Sequence, residues 1–260
     1  MAKPLGIVLY DGPSLINGKR IIMIATGLKR KSKNNKTGDM IMTWILCADK
    51  PPMEANKCGD DIAVCSTCKH RHFRSCYVNL AHGPHNIYKA WKKGSYTDMD
   101  SSDPAISDLF TDRYLRVGSY GEPTAVPAEI WQNLTKHTLG FVGYTHRWKT
   151  CNIDYREFCM ASCDTEKEAL DALSRDWRPF YVRQEGDEIL PRFFSCPASK
   201  ESGKVSNCQK CGGCKGGKAS VNGRFPTIIY HGLSWKTLYY KRGMKAFNAK
   251  KQYAGIGWNK

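Results

Sequence analysis

The sequence predicts an α/β protein: a partial or irregular TIM-like (β/α) barrel, preceded by an antiparallel β-meander and carrying cysteine-rich metal-binding loops. Three observations predict it. Apolar runs of strand length open the chain with polar turns between them; strands alternate with helix-length segments from residue 113 onward; twelve cysteines fall mostly outside both.

The meander comes first. Residues 6–10 and 21–27 read as strands joined by a loop containing Asn17-Gly18, and residues 40–48 as a third strand after the polar turn at 34–39. Residues 49–80 are too rich in Cys, Pro and Gly for regular structure, and a short helix is expected over 84–93. The polar stretch 97–104 reads as a loop and a candidate boundary. It separates 1–100, the meander with the first cysteine cluster, from 101–260, the βα repeats with a late cysteine site and a basic C-terminal segment. The two parts are expected to form one integrated domain.

The repeats follow in order. Strand 114–119 leads to a helix over 127–138 with Pro127 in its first turn. Strands 140–145 and 157–162 come next, then a helix over 165–176 capped by Asp164 or Thr165. Strands 179–183 and 225–230 close the series. Successive βα units imply parallel strands with right-handed crossovers. The units are too few for a complete eight-fold barrel, and an open parallel sheet is the alternative.

Composition narrows the function classes. Of 260 residues, 41% are hydrophobic and 11% aromatic, which excludes a disordered basic tail protein. No apolar run approaches the roughly 20 residues of a membrane span. The opening Met-Ala-Lys-Pro-Leu-Gly lacks the apolar stretch of a signal peptide, so a cytoplasmic protein is expected. The net charge is +16, and it is unevenly placed: no Asp or Glu follows Glu201, while twelve Lys or Arg do. A smaller basic cluster contains Lys29, Arg30 and Lys31. Such fields commonly bind polyphosphate, because neutralised phosphates release counterions, and nucleic acid is the expected partner. No basic amphipathic helix is evident, which argues against a membrane surface.

The cysteines point to metal. In Cys208-Gln-Lys-Cys211-Gly-Gly-Cys214, three thiols sit on two tight turns, with Cys196 twelve positions earlier. Two residues between thiols let both sulfurs face one ion, and four thiolates suit tetrahedral Zn²⁺ or an iron–sulfur cluster. The nearby lysines would offset the negative charge of such a site. A second group is Cys65, Cys68 and Cys76, with Cys58, His70 and His72 close by. Three thiolates leave an open coordination position of the catalytic kind; alternatively Cys58 or a histidine closes a structural zinc site. Cys159 and Cys163 flank an apolar strand and read as buried small hydrophobes.

In either architecture, reacting residues gather at the carboxyl ends of the strands. Those ends deliver Glu122, Tyr144, His146 and Arg147 as candidate catalytic groups. Trp148 is a candidate stacking platform, or a plug for the barrel end. Asp164 reads as a helix cap. In the C-terminal segment, Lys241, Arg242 and Lys245 beside Tyr240 suit phosphate contact and base stacking. No P-loop, no Gly-x-Gly-x-x-Gly after a strand, no His-Glu-x-x-His and no deaminase signature occurs.

Four stretches occur together: Cys65-x-x-Cys68 with Cys76-Tyr77-Val78-Asn79, Arg116-Val-Gly-Ser-Tyr-Gly-Glu-Pro123, Gly143-Tyr-Thr-His-Arg-Trp148, and Cys196-Pro-Ala-Ser running on to Cys214. In them the chain resembles a group of cysteine-rich bacteriophage and prophage proteins, distantly similar to the gene-product-eighty-eight type proteins of mycobacteriophages. More remotely, the layout is similar to radical-S-adenosylmethionine-like barrels. That likeness implies an iron–sulfur cluster on Cys65, Cys68 and Cys76, an auxiliary one on the late cysteines, and S-adenosylmethionine as a cofactor. The three-then-two cysteine spacing of that superfamily is absent. The expectation is a phage-type metal-cluster enzyme, zinc or iron–sulfur, that modifies a base or nucleotide in DNA or RNA within an infected or lysogenic bacterial host. The alternative is a zinc-stabilised nucleic-acid-binding or host-interaction protein without catalysis.

Overall fold

The computed structural model describes residues 3–30, 32 and 35–254. In chain order they form β1 (Gly6–Pro13), β2 (Arg20–Thr26), β3 (Met40–Cys47), α1 (Pro52–Cys58), α2 (Ile62–Cys65), α3 (Lys69–His72), α4 (Gly83–Lys92), β4 (Thr97–Asp98), α5 (Ala105–Phe110), β5 (Tyr114–Tyr120), α6 (Ala128–Thr135) and β6 (Gly140–Thr145). There follow β7 (Met160–Cys163), α7 (Glu166–Ser174), β8 (Pro179–Arg183), β9 (Phe193–Ser195), α8 (Cys208–Cys211), β10 (Phe225–Ile229) and α9 (Ser234–Ala254). The fold is mixed α/β, built on one ten-stranded sheet in the order β4-β1-β2-β3-β5-β6-β7-β8-β10-β9.

The two halves of the sheet differ in direction for a sequence reason. Connections over 14–19 and 27–39, with no helix among their described residues, let β1, β2 and β3 pair antiparallel, whereas the pairings from β3 through to β9 are parallel. The Ile21–Ala25 run of β2 is buried throughout, as expected of a strand covered on both faces. Around it, Ile7, Ile45, Leu115, Val142 and Trp131 form one continuous core that reaches Phe225.

Several differences from the sequence reading have physical causes. The stretch 97–104 is not all loop, because Thr97–Asp98 form β4 and pair parallel with β1. Residues 49–80 hold three short helices, too brief to show a 3.6-residue period. Strand 157–162 begins only at Met160, after a 3₁₀ turn over Ile153–Glu157. The long basic helix α9 buries Lys236, Tyr240 and Met244 at four-residue spacing and exposes Lys241, Arg242 and Lys245; it shows no apolar stripe in the sequence because a lysine holds one of the inward positions. Among the described residues, no helix is long and apolar enough to cross a membrane.

The end of β5 is the sharpest local feature. Its register against β3 shifts between the pairs Met42–Arg116 and Trp44–Tyr120. Thr43, fully buried in β3, bridges the gap: its hydroxyl donates to Arg116 O at 2.8 Å and accepts from Gly118 N–H at 2.9 Å. Gly118 and Gly121 both take positive φ, +65° and +91°, and so turn the chain to present Glu122. A Cβ on Gly121 would lie 2.6 Å from Ile45 Cβ. Gly121→Ala therefore combines left-handed strain with overpacking and should destabilise the fold by about 2–4 kcal/mol, read as a lower urea midpoint.

Candidate functional site

Side chains at and beyond the carboxyl ends of the parallel strands enclose one cavity of about 260 Å³. The first cysteine set, Cys65, Cys68 and Cys76, enters from the segment after β3. The late set, Cys196, Cys208, Cys211 and Cys214, enters from the segments around β9 and α8, and all seven thiols line the same cavity. Cys58 does not; it lies outside, 3.5 Å from Lys50 Nζ and 3.4 Å from Asp60 Oδ2. His70 lines the cavity whereas His72 does not. Cys159 and Cys163 are fully buried in the core. All twelve cysteines are free thiols.

Each set is electrostatically coupled and hydrogen-bonded toward the thiolate form. Burial pushes the Cys65 thiol well above its ordinary range, with Cys76 and Cys68 adding to the effect, while a hydrogen bond from Tyr120 opposes it. Cys76 is pushed up to about 11 by burial and then by Cys68, against a bond from the Val78 N–H. In the late set, burial pushes Cys214 up to about 12; the Tyr144 hydroxyl opposes the shift, and Cys196, Cys208 and Cys211 add to it. The Ala198 N–H bonds the Cys196 sulfur. A bound cation would remove the mutual repulsion that these shifts express.

The late set is held by distant parts of the chain. The N–H groups of Cys208 and Gln209 donate to the carbonyls of Lys36 and Thr37 at 2.9 and 3.1 Å, so the loop between β2 and β3 cradles α8. Asn207 caps α8 through Lys210 N–H at 2.9 Å. Arg178 donates to Gly213 O at 3.1 Å, and Gly216 packs so tightly on the 153–157 turn that a Cβ would lie 2.5 Å from Glu157 O.

The first set is clamped by α9. Lys236 Nζ donates to the carbonyls of Cys76 and Val78, the latter at 3.0 Å, and the Tyr230 hydroxyl donates to Ser75 O. Tyr240 is 1% exposed and stacks 3.9 Å from Tyr230 and 5.5 Å from His70. Tyr240 is thus a packing residue with no face open for a base. Trp148, also buried, donates its Nε1–H to Ser162 O and plugs the strand ends. By contrast Lys29, Arg30, Lys241, Arg242 and Lys245 are exposed, with Lys241 3.6 Å from Glu185. Lys31 lies outside the described residues.

Of the four candidate catalytic groups, Glu122, Tyr144 and His146 line the cavity and Arg147 does not. Arg147 turns to Thr124 Oγ1 at 3.3 Å, because its own N–H is fixed by Thr145 Oγ1 at the strand end. The Glu122 carboxylate is a buried brace that accepts from His146 N–H at 3.1 Å and from Thr124. His146 Nε2 is buried and has no hydrogen-bond partner.

Arg116 is not among the candidate site residues that the sequence suggests, and Asp164 reads there only as a helix cap. Arg116, inward-facing on β5, is buried on the cavity wall; its guanidinium donates to Tyr77 Oη at 3.0 Å and lies 5.2 Å from the Tyr144 ring centre. No carboxylate pairs with it among the described residues. Its position within the quoted Arg116–Pro123 motif was visible, but its burial was not. Asp164 is also more than a cap. Thr165 caps α7 through Glu168 N–H at 3.1 Å, and Asp164, with a fully buried carboxylate, meets His70 and Lys69.

Comparison with protein-family models, with curated proteins and with solved structures finds no match.

The stacked clamp on the first cysteine segment makes a clean prediction. Tyr240→Ala should cost about 3–5 kcal/mol through the cavity it leaves, and should expose Cys65, Cys68 and Cys76 to a thiol reagent. Tyr240→Phe keeps the stack and should leave both the melting temperature and the labelling rate near those of the parent, since the hydroxyl has no partner.

Proposed function

We propose that this chain is a metal-cluster enzyme of bacteriophage type that modifies a base or nucleotide of nucleic acid in the cavity between its two cysteine sets. One observation carries the reading: two thiol groups far apart in sequence converge on the walls of one cavity. Two purely structural zinc sites would have no reason to share a cavity lined also by Arg116, Tyr144 and His146. The run of parallel strands from β3 to β10 reads as part of a TIM-like barrel, in which strand carboxyl ends carry the chemistry.

Either zinc or an iron–sulfur cluster would use these thiols. Tetrahedral zinc, with Zn–S bonds near 2.3 Å, holds its sulfurs about 3.8 Å apart. Among the described residues, neither cysteine set brings three sulfurs within 4.8 Å of one another, so binding of either metal would draw the thiols closer together. An iron–sulfur cluster on either set would supply electron transfer at the cavity wall. The chain's own residues would do the rest. The Tyr120 and Tyr144 hydroxyls reach the sulfurs of Cys65 and Cys214, and α9 and the stacked tyrosines keep water from one side.

Arg116 supports an anionic substrate. A guanidinium has five N–H donors, and here one is spent on the Tyr77 hydroxyl. A buried charge without a counter-charge is costly, and a phosphate or the thiolate cluster itself would supply one. Outside the cavity, the exposed Lys29, Arg30, Lys241, Arg242 and Lys245 suit contact with a nucleic-acid backbone.

Anaerobic purification with metal and sulfide analysis tests the reading. The expected protein is brown and contains iron and sulfide; Cys65→Ser with Cys68→Ser should remove one share of the iron, and Cys208→Ser with Cys211→Ser the other. Two tightly held zinc ions and no iron would favour the non-catalytic binding protein instead. A second measurement addresses the partner. Lys241→Ala, Arg242→Ala and Lys245→Ala combined should weaken binding to a short oligonucleotide and flatten its salt dependence by about 0.7–0.9 in log–log slope per lost phosphate contact.

A further inference from the structure

Beside the cysteine sets, the cavity wall carries a third cluster of a different chemical character. His70 comes from α3, His146 follows β6 and Asp164 follows β7. One ligand atom from each lies within 4.8 Å of the other two. His70 Nε2 stands 3.1 Å from Asp164 Oδ1. Two adjacent ligands of a six-coordinate ion, at bonds near 2.1 Å, stand about 3 Å apart. His146 Nε2, buried and without a hydrogen-bond partner, supplies the third donor.

Charge and support both fit an ion. Lys69 Nζ lies 3.1 Å from Asp164 and 2.8 Å from Glu168, so two carboxylates share one ammonium. One negative charge is left over beside two imidazoles in a largely buried setting. The far nitrogen of His70, Nδ1, is 3.0 Å from Ser75 Oγ, the kind of outer contact that orients a ligating imidazole. Tyr240 stacked on the His70 ring fixes its plane. His70 and His146 both line the cavity, so an ion there would keep positions open toward it.

We propose that His70, His146 and Asp164 form a mononuclear site for a divalent transition-metal ion, separate from the cysteine sets and open to the same cavity. Two imidazoles and one carboxylate with open positions make a donor set suited to iron(II), manganese(II) or zinc. The site does not depend on what the cysteines hold.

Manganese(II) is the probe, because it favours nitrogen and oxygen donors over thiolate. Anaerobically purified protein is titrated with Mn²⁺ and the free ion is followed by electron paramagnetic resonance. One tightly bound Mn²⁺ per chain is expected. His146→Ala should weaken it at least ~100-fold, and Ser75→Ala by the roughly 10–100-fold typical of an outer partner. Neither variant unpairs a charged group, whereas Asp164→Asn removes a partner of Lys69 and serves only as confirmation when it folds. His137→Ala, which removes an imidazole elsewhere, should change nothing. Absence of bound Mn²⁺ in the parent, or unchanged affinity in both His146→Ala and Ser75→Ala, overturns the proposal. The cluster is then an ion-pair network joining α3 to the end of β7. Iron content at the cysteines is read in the same samples, so failure of one site is distinguishable from failure of the other.

Discussion

Seven thiols share the wall of one cavity, and they cannot all ionise there without compensating positive charge. Much of the surrounding structure answers to that constraint. Burial and mutual repulsion push the thiols toward their neutral forms. Against this, backbone N–H groups and the hydroxyls of Tyr120 and Tyr144 are aimed at sulfur, contacts that would strengthen if the thiols lost their protons to a bound cation. Arg116 adds a permanent charge a short distance away. The preparation for negative charge is thus built in, and it is strongest where the sulfurs gather.

The sheet explains how such distant cysteines meet. Parallel strands deliver their carboxyl ends to one side, so each connection after β3, β5, β6, β7 and β10 adds to the same rim. The bulge at the end of β5 is the detail that makes the rim usable. Thr43 repairs its broken ladder, two glycines turn it, and Glu122 then ties it to the start of the loop after β6. A brace of this kind transmits the position of one strand end to the next without occupying the cavity itself.

Much of this was readable from the residues. Strands with strong β-branched or aromatic runs, such as 140–145 and 179–183, are present with those same limits. Both cysteine groups reach the cavity. What escaped reading depends on long-range packing. Tyr240 and Trp148 carry the composition of base-stacking residues but are buried by partners far away in sequence. Asp164 stands where a cap would stand, yet Thr165 performs that role and frees it. Helix α9 has no clear apolar stripe, because its inward face is satisfied by a lysine on carbonyls and a tyrosine on aromatic rings rather than by aliphatic side chains. No local pattern encodes which of two adjacent polar residues turns inward.

The cradle of α8 bears on how this protein could have been assembled. A self-contained metal knuckle satisfies its backbone within its own turn and can be moved between proteins as a cassette. Here the N–H groups of Cys208 and Gln209 are spent on Lys36 and Thr37, and Gly216 is pressed against the 153–157 turn. The late cysteine segment is therefore a joint that ties the last third of the chain to the first through Lys36 and Thr37 and to the middle through the 153–157 turn. It could be inherited, lost or exchanged only together with the loop and turn that receive it.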